Sequence, residues 1–269
     1  MGSFLSIIAV GFFLGMRHAT DPDHVIAITT IVTRQRQLRR AAMTGAFWGV
    51  GHTLTIFVVG VMIILFNVVI PTRLGLSMEF SVALMLIVLG IMNVATFMRS
   101  ASAISARTNT GSEAVHVHPH THGDYVHTHA HGHSPKTHSH RSDRTPLALL
   151  DRLFGKLALY RPIRPFIVGV VHGLAGSAAV ALLVLAAIPN PRLAVIYLLV
   201  FGAGTVGGMM LITMSIASAF TFMSKGRQKF SHRLGLISGV LSLAFGMLLV
   251  YQIGFAGGLF TTHPHWLPR

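Results

Sequence analysis

The fold is decided by the stretch His18-Ala19-Thr20-Asp21-Pro22-Asp23-His24, which lies inside an otherwise apolar segment near the N-terminus. Residues 7–14 before it and 25–28 after it are apolar. Two imidazoles and two carboxylates left unpaired in hydrocarbon would cost several kcal/mol, so ionisable groups at membrane depth indicate a functional site. Histidine and aspartate together are ligands for divalent metal ions. The stretch therefore predicts a metal site within a membrane.

Composition supports a membrane protein. The chain has 269 residues, of which 52% are hydrophobic and 10% charged, whereas a soluble domain carries about 25% charged residues. The net charge of +14 comes from short basic clusters between apolar runs, which argues against nucleic-acid binding. Cysteine is absent, so a bound metal would have nitrogen and oxygen ligands. The N-terminal apolar run lacks a basic region before it, so we expect no cleaved signal peptide.

The apolar segments predict an all-α polytopic membrane protein with about six transmembrane helices, each near the roughly 20 residues that a span needs. They cover residues 3–33, 42–70, 79–99, 164–188, 193–222 and 232–258. The first segment is long and is interrupted at Pro22. We therefore predict a three-helix unit with the metal motif at 1–99, a polar histidine-rich loop at 100–163, and a second three-helix unit at 164–269.

The connections between these segments predict the orientation. The first, third and fifth are rich in lysine and arginine, whereas the second and fourth contain only Arg73 and Arg192. Basic connections stay in the cytoplasm. Both termini should face outward and the histidine-rich loop should be cytoplasmic, in a multi-pass protein of the cell membrane, with the bacterial inner membrane as the expected location.

The two halves resemble each other in sequence. The matches are 12–18 with 166–172, 47–51 with 200–204, and 89–92 with 245–248, at offsets of 154, 153 and 156. A second unit of three spans must point the opposite way, which predicts an inverted repeat of the kind found in transporters. Substrates of such folds bind near the membrane midplane at interrupted helices. The repeat thus indicates His18 and His172 independently of the ligand argument.

Pro22 should bring the first ligands together. On an unbroken helix His18 and His24 would lie about 120° apart. Because Pro22 has no N–H and its ring collides with the preceding turn, we predict a kink or break that frees the His18 carbonyl and lets His18, Asp23 and His24 converge. Asp21 is either a ligand or the acceptor that orients a histidine. The alternative is a loop at the mouth of a short first helix, which preserves the cluster.

Further candidates lie in other spans. His52 follows small residues that let helices approach closely, and is either a ligand or a hydrogen-bonded interior group. His172 has no carboxylate nearby in sequence, so we expect a gate or helix-packing role in a possible second-half pathway rather than a second site. For Glu79 and Asn93 a structural role is favoured.

These residues carry a resemblance to a known family. Residues 17–24 resemble the H-x4-D-H signature of the nickel/cobalt transporter family, which maps onto His18, Asp23 and His24. Gly51-His52-Thr53 resembles the second histidine motif of that family. The run at 172–177 is similar to the branch of nickel permeases associated with urease maturation. The chain differs in having six predicted spans rather than eight.

The resemblance implies a secondary transporter that moves Ni²⁺ or Co²⁺ into the cytoplasm through the His/Asp site. The ion would be a substrate, with no permanently bound cofactor and no nucleotide-binding motif. Expected partners are the lipid bilayer and cytoplasmic metallochaperones such as those of urease or hydrogenase maturation. Two alternatives stay open: an exporter that confers metal tolerance, and an intramembrane hydrolase in which only Asp21 could act as acid or base. We expect no enzymatic activity.

The central loop contains eight histidines that alternate with small or polar residues: His116, His118, His120, His122, His127, His129, His131 and His133. Alternation places side chains on one side of an extended chain, and imidazoles bind nickel, cobalt, copper and zinc. The composition predicts a largely disordered segment without metal. We interpret the loop as a cytoplasmic metal store or sensor of low selectivity. Because such loops also occur in exporters, this one does not reveal direction.

Overall fold

The computed structural model describes residues 2–32, 37–66, 70–108, 116–122, 125–131, 160–174, 188, 190–224 and 228–265. Within these ranges the regular structure is helical apart from one β-hairpin. The helices are α1 (Gly2–His18), α2 (Pro22–Val32), α3 (Leu38–Phe66), α4 (Thr72–Thr108), α5 (Tyr160–His172), α6 (Pro191–Ser224) and α7 (Gln228–Tyr251). A π-helical turn at Gln252–Ala256 follows α7.

Four of the described segments are long and apolar enough to cross a membrane: Leu38–Phe66, Thr72–Ala95, Pro191–Phe222 and Arg233–Ala256. Shorter apolar helices cover Leu5–His18, Pro22–Val32 and Ile163–His172. Many large apolar side chains on the long helices point outward, including Leu54, Val58 and Leu199, as a lipid-facing surface requires. The chain is a multi-pass helical membrane protein. Of the six predicted spans, the first is divided into α1 and α2, and most of 175–188 lies outside the described residues.

The break between α1 and α2 lies where the sequence predicted it. α1 ends at His18, and Pro22 is the first residue of α2, a position at which a missing N–H costs no helical hydrogen bond. The prediction that the His18 carbonyl would be free is wrong, because the backbone N–H of Asp21 donates to it at 3.1 Å. The turn therefore satisfies its own backbone while it redirects the chain.

α5 ends in the same way as α1. The N–H of Gly173 donates to the Gly169 carbonyl at 2.8 Å, as that of Ala19 donates to Gly15 at 3.2 Å. The next residue then closes a tighter turn in both places, with Thr20 bonded to Arg17 and Leu174 bonded to Val171. The two helices thus end at His18 and His172 with matching hydrogen bonds.

The helices pack in related pairs. α1 lies along α6 and α5 along α3, while α3 packs on α6 and α4 on α7. Among the glycines that lie against a backbone carbonyl, where a side chain would overlap or crowd it, six form three matching pairs of contacts. These are Gly15 with Phe201 and Gly169 with Trp48, Gly204 with Phe12 and Gly51 with Phe166, and Gly90 with Gly239 and Gly246 with Ala83. Each contact has its counterpart 153 to 156 residues away.

The largest buried apolar cluster joins α2 to the long helices. It contains Ala19, Ala27, Ile28, Val32, Ala41, Trp48, Val82, Leu86, Met209 and Ala217. Because these side chains come from the turn after α1 and from α2, α3, α4 and α6, the cluster fixes the short helix α2 among long neighbours.

The central loop contains a hairpin that composition did not predict. Strand β1 (His116–His122) pairs antiparallel with β2 (Tyr125–His131), and the register places His118 opposite His129 and His120 opposite His127. The two strands are adjacent in sequence, so each satisfies the other's backbone with little loop to close. α4 also extends to Thr108, past the predicted boundary. Residues 109–115, 123–124 and 132–159 lie outside the described ranges, and their disorder stays a prediction.

The glycine contacts generate the first testable prediction. A methyl group at Gly204 would overlap the Phe12 carbonyl, whereas one at Gly207, on the same helix, meets nothing within 4 Å. We expect Gly204→Ala to lower stability by about 1–3 kcal/mol through overpacking, and Gly207→Ala to leave it unchanged or slightly higher. Thermal unfolding of the two variants in the same detergent measures this difference, and equal melting temperatures would contradict the close packing of α1 on α6.

Candidate metal centre

A largely buried polar cluster lies where α1, α2 and α5 meet α3. Its members are His18, Asp21, Asp23, His24, His52 and His172. His18 and His172 are the last residues of α1 and α5, while Asp23 and His24 lie in the first turn of α2. His24, His52 and His172 have no exposed surface, and His18 has 6%. The structure thus brings together every membrane residue that the sequence indicated as a metal ligand or pathway residue.

Two carboxylates orient two of the imidazoles. His18 Nδ1 lies 2.8 Å from Asp21 Oδ2, and His24 Nδ1 lies 3.0 Å from Asp23 Oδ1. An ionised carboxylate only accepts hydrogen bonds, so each Nδ1 carries a proton, and a neutral ring in this tautomer has its lone pair on Nε2. This is the arrangement in which protein histidines bind metal ions. Of the two roles left open for Asp21, its position corresponds to that of the orienting acceptor.

Three imidazoles share one small region. His18 Nε2 lies 2.9 Å from His52 Nε2, and the ring of His24 is centred 4.8 Å from both other rings. Each of the three residues offers a ligand atom within 4.8 Å of the others. His24 Nε2 is buried and has no hydrogen-bond partner among the described residues. A buried nitrogen without a partner is rare, and a metal ion bound between these rings would satisfy it.

A second group lies beside the first. Asp23 Oδ2 approaches His172 Nε2 at 3.1 Å, and the rings of His24 and His172 are centred 4.4 Å apart. Asp23, His24 and His172 again offer ligand atoms within 4.8 Å of one another. The sequence assigned His172 to a gate or a helix contact because no carboxylate accompanies it locally. In the structure Asp23, from the other half of the chain, supplies a carboxylate beside His172. The gate or helix-packing role of His172 stays a prediction.

Aromatic rings border the cluster on two sides. The ring of Phe201 is centred 5.6 Å from that of His18, and the Trp48 ring lies 5.3 Å from His172 and 5.8 Å from His24. Trp48 and Phe201 are nearly fully buried and are 153 residues apart. They exclude water, which strengthens every charge interaction among the residues inside. Neither aromatic residue was singled out from the sequence.

The other candidate residues from the sequence lie outside this cluster. Asn93 donates its Nδ2–H to Ser238 Oγ at 3.1 Å, which confirms a structural role between α4 and α7. Glu79 belongs to neither of the two groups found within the described residues. Seven of the eight loop histidines lie on β1 and β2, and His133 falls outside the described ranges. The metal store in this loop stays a prediction.

The fold and the cluster define a class: multi-pass helical membrane proteins with a buried His/Asp group suited to divalent cations. Residues 4–156 match the family model for high-affinity nickel-transport proteins, NicO. The chain is also 33% identical over 256 residues to the urease accessory protein UreH of Bacillus sp. (strain TB-90), covering 95% of each chain. No solved structure matches the chain.

The chain belongs to the high-affinity nickel-transport protein family. It is therefore a nickel transporter and not an enzyme, which removes the hydrolase alternative, and Ni²⁺ is its transported substrate. The resemblance derived from residues 17–24 is confirmed.

Proposed function

We propose that this protein takes up Ni²⁺, and Co²⁺ as a second substrate, into the cytoplasm through the cluster around His24. The observation that carries the proposal is the convergence of His18, His24 and His52. Carboxylates hold His18 and His24 at Nδ1, which leaves the Nε2 atom of each ring for the ion. Three buried imidazoles that bind as neutral ligands favour a transition-metal ion over Mg²⁺ or Ca²⁺.

The charge of the cluster supports the same substrate. The histidines are neutral ligands, while Asp21 and Asp23 together carry two negative charges when ionised. A divalent cation would therefore be neutralised as it leaves water, which offsets the cost of moving it into a low-dielectric interior. The carboxylates contact the Nδ1 atoms of the imidazoles and not the ion itself. The ion is therefore bound by neutral nitrogen ligands without direct carboxylate ligands, which suits a site that must also release it.

The repeat supports a transport mechanism. We propose that residues 1–99 and 164–269 form two inverted three-helix units. The matching ends of α1 and α5 and the paired glycine contacts support this arrangement. In such folds the substrate site lies between interrupted helices near the midplane, and the two units move against each other to expose it alternately. The cluster lies at the ends of α1 and α5.

The proposed direction follows from the membrane potential and the basic connections. With the histidine-rich loop in the cytoplasm of a bacterial cell, a divalent ion that moves inward gains about 4.6 kcal/mol per 100 mV of inward-negative potential. The loop would then receive imported ions. Since one relative is a urease accessory protein, we propose that the nickel supplies metallochaperones of urease maturation or, as a second destination, of hydrogenase maturation.

The second prediction tests site and direction together. His18→Ala removes one of the converging nitrogens, and Asp23→Asn removes the charge that orients His24. We expect either change to reduce the initial uptake of radioactive nickel by cells at least about tenfold, because loss of a ligand or of its orienting partner weakens metal binding by that factor or more.

The control keeps the membrane site and removes the loop ligands. A variant with the histidines of 116–140 replaced by serine should keep the initial rate and lower only the amount of nickel retained. Membrane insertion of all variants is checked by immunoblotting. Wild-type uptake by His18→Ala would refute the site, and a lower nickel content in cells that express the unaltered protein would favour the exporter.

The third prediction concerns Asp21. Asp21→Asn keeps an acceptor for His18 Nδ1 but removes the charge, whereas Asp21→Ala removes both. We expect the half-saturating nickel concentration to rise about 10- to 100-fold for Asp21→Asn, and further for Asp21→Ala. Concentration-dependent uptake measures both values. If both variants behave like the unaltered protein, Asp21 does not orient a ligand.

The fourth prediction concerns sidedness, and the absence of cysteine makes it simple to test. We expect Thr262→Cys, at an exposed position near the C-terminus, to react with a membrane-impermeant maleimide on intact cells. Ser142→Cys, in the central loop, should react only after permeabilisation, because the positive connections stay inside. The reverse labelling pattern would invert the proposed topology.

A further inference from the structure

The two ligand groups have one residue in common. We propose that they are consecutive stations of one ion path, and that His24 passes the ion from the first station to the second. The first station consists of His18, His52 and Nε2 of His24. The second consists of Asp23, His172 and Nδ1 of His24. This inference rests on the proposed function and assigns His172 a ligand role that the sequence did not predict.

The ring of His24 separates the stations. Its Nδ1 lies 3.0 Å from Asp23 Oδ1, and the other oxygen of this carboxylate reaches His172 Nε2 at 3.1 Å. Its Nε2, buried and without a described hydrogen-bond partner, lies on the other side of the ring. The two nitrogens of an imidazole direct their lone pairs away from each other, so one ion cannot use both.

The transfer conserves protons. While the ion is at the first station, Nδ1 of His24 is protonated and donates a hydrogen bond to Asp23. When the ion moves, its bonds to His18, His52 and Nε2 of His24 break, and bonds to Asp23, His172 and Nδ1 form. The proton moves from Nδ1 to the vacated Nε2 through water that accompanies the ion, and His24 ends as the other neutral tautomer. Asp23 changes from orienting acceptor to ligand.

The proposed topology gives the stations an order. The side chains of Asp21 and Asp23 are 34% and 15% exposed and that of His18 is 5% exposed, while His24 and His172 are fully covered. Asp21, the most exposed of these side chains, borders the first station through His18, and Trp48 lies against His172 in the second. In the proposed topology α1 enters from outside and α5 from the cytoplasm, so the ion arrives past His18 and leaves past His172.

Two simpler arrangements make different predictions. If the residues form a single site, His18 and His172 are equivalent ligands, and loss of either weakens binding. If His172 only packs against Asp23, a side chain that still offers an N–H replaces it. Glutamine at position 172 is such a side chain, because its amide can donate to Asp23 but is a poor nickel ligand compared with imidazole.

The experiment compares His172→Gln and His172→Asn with His18→Gln in the full-length protein. All carry serine in place of the histidines of 116–140, so that metal signals come from the membrane cluster. Co²⁺ binding is followed by its visible absorption spectrum in detergent, and Ni²⁺ flux is measured in vesicles. We expect both His172 variants to keep the spectrum and binding affinity of the parent while their maximal flux falls at least about tenfold. His18→Gln should lose the spectrum.

Each of the other outcomes would overturn one particular part of the two-station proposal or of the proposed function. Parental flux in His172→Gln means that His172 is not a ligand, although the proposed function stands. Loss of the Co²⁺ spectrum in both His172 variants means that His172 is required to build the first station, and the two-station path is wrong. Parental flux in His18→Gln would refute the proposed function itself.

Discussion

The interaction on which this structure depends is the pairing of Asp23 with two imidazoles where α1, α2 and α5 meet. A carboxylate taken out of water must be compensated by close donors or by a cation. His24 and His172 approach its two oxygens at 3.0 and 3.1 Å. Because His172 ends α5 and His24 begins α2, this pairing connects the two halves of the chain.

Close helix packing makes that pairing possible. α5 reaches the cluster only because Gly51 and Gly169 let it approach α3 until backbone meets backbone. Thr55 adds a hydrogen bond from its hydroxyl to the Val170 carbonyl at 3.0 Å. Small residues and interhelical hydrogen bonds are the forces that associate helices in lipid, where apolar burial contributes little. The polar site therefore depends on the glycine contacts that bring the helices together.

Much of the site followed from local rules. Pro22 predicted the break because proline cannot donate a hydrogen bond and crowds the preceding turn, and the structure begins α2 at that residue. His52 and the H-x4-D-H residues were correctly indicated as members of one cluster. His172 was indicated by its position in the repeat, but the carboxylate beside it comes from the other half of the chain and could not be read from the neighbouring residues. The hairpin in the central loop was missed, because the composition of the loop suggested no structure.

The sequence by itself determined the membrane environment, the broken first helix and a ligand set without sulfur, because these depend on residue type and short-range spacing. Only the tertiary structure decided which nitrogens of His18 and His24 lie against carboxylates and which carboxylate lies beside His172. Asp23 and His172 are 149 residues apart. They meet through the packing of α5 on α3, a long-range contact that no local pattern encodes.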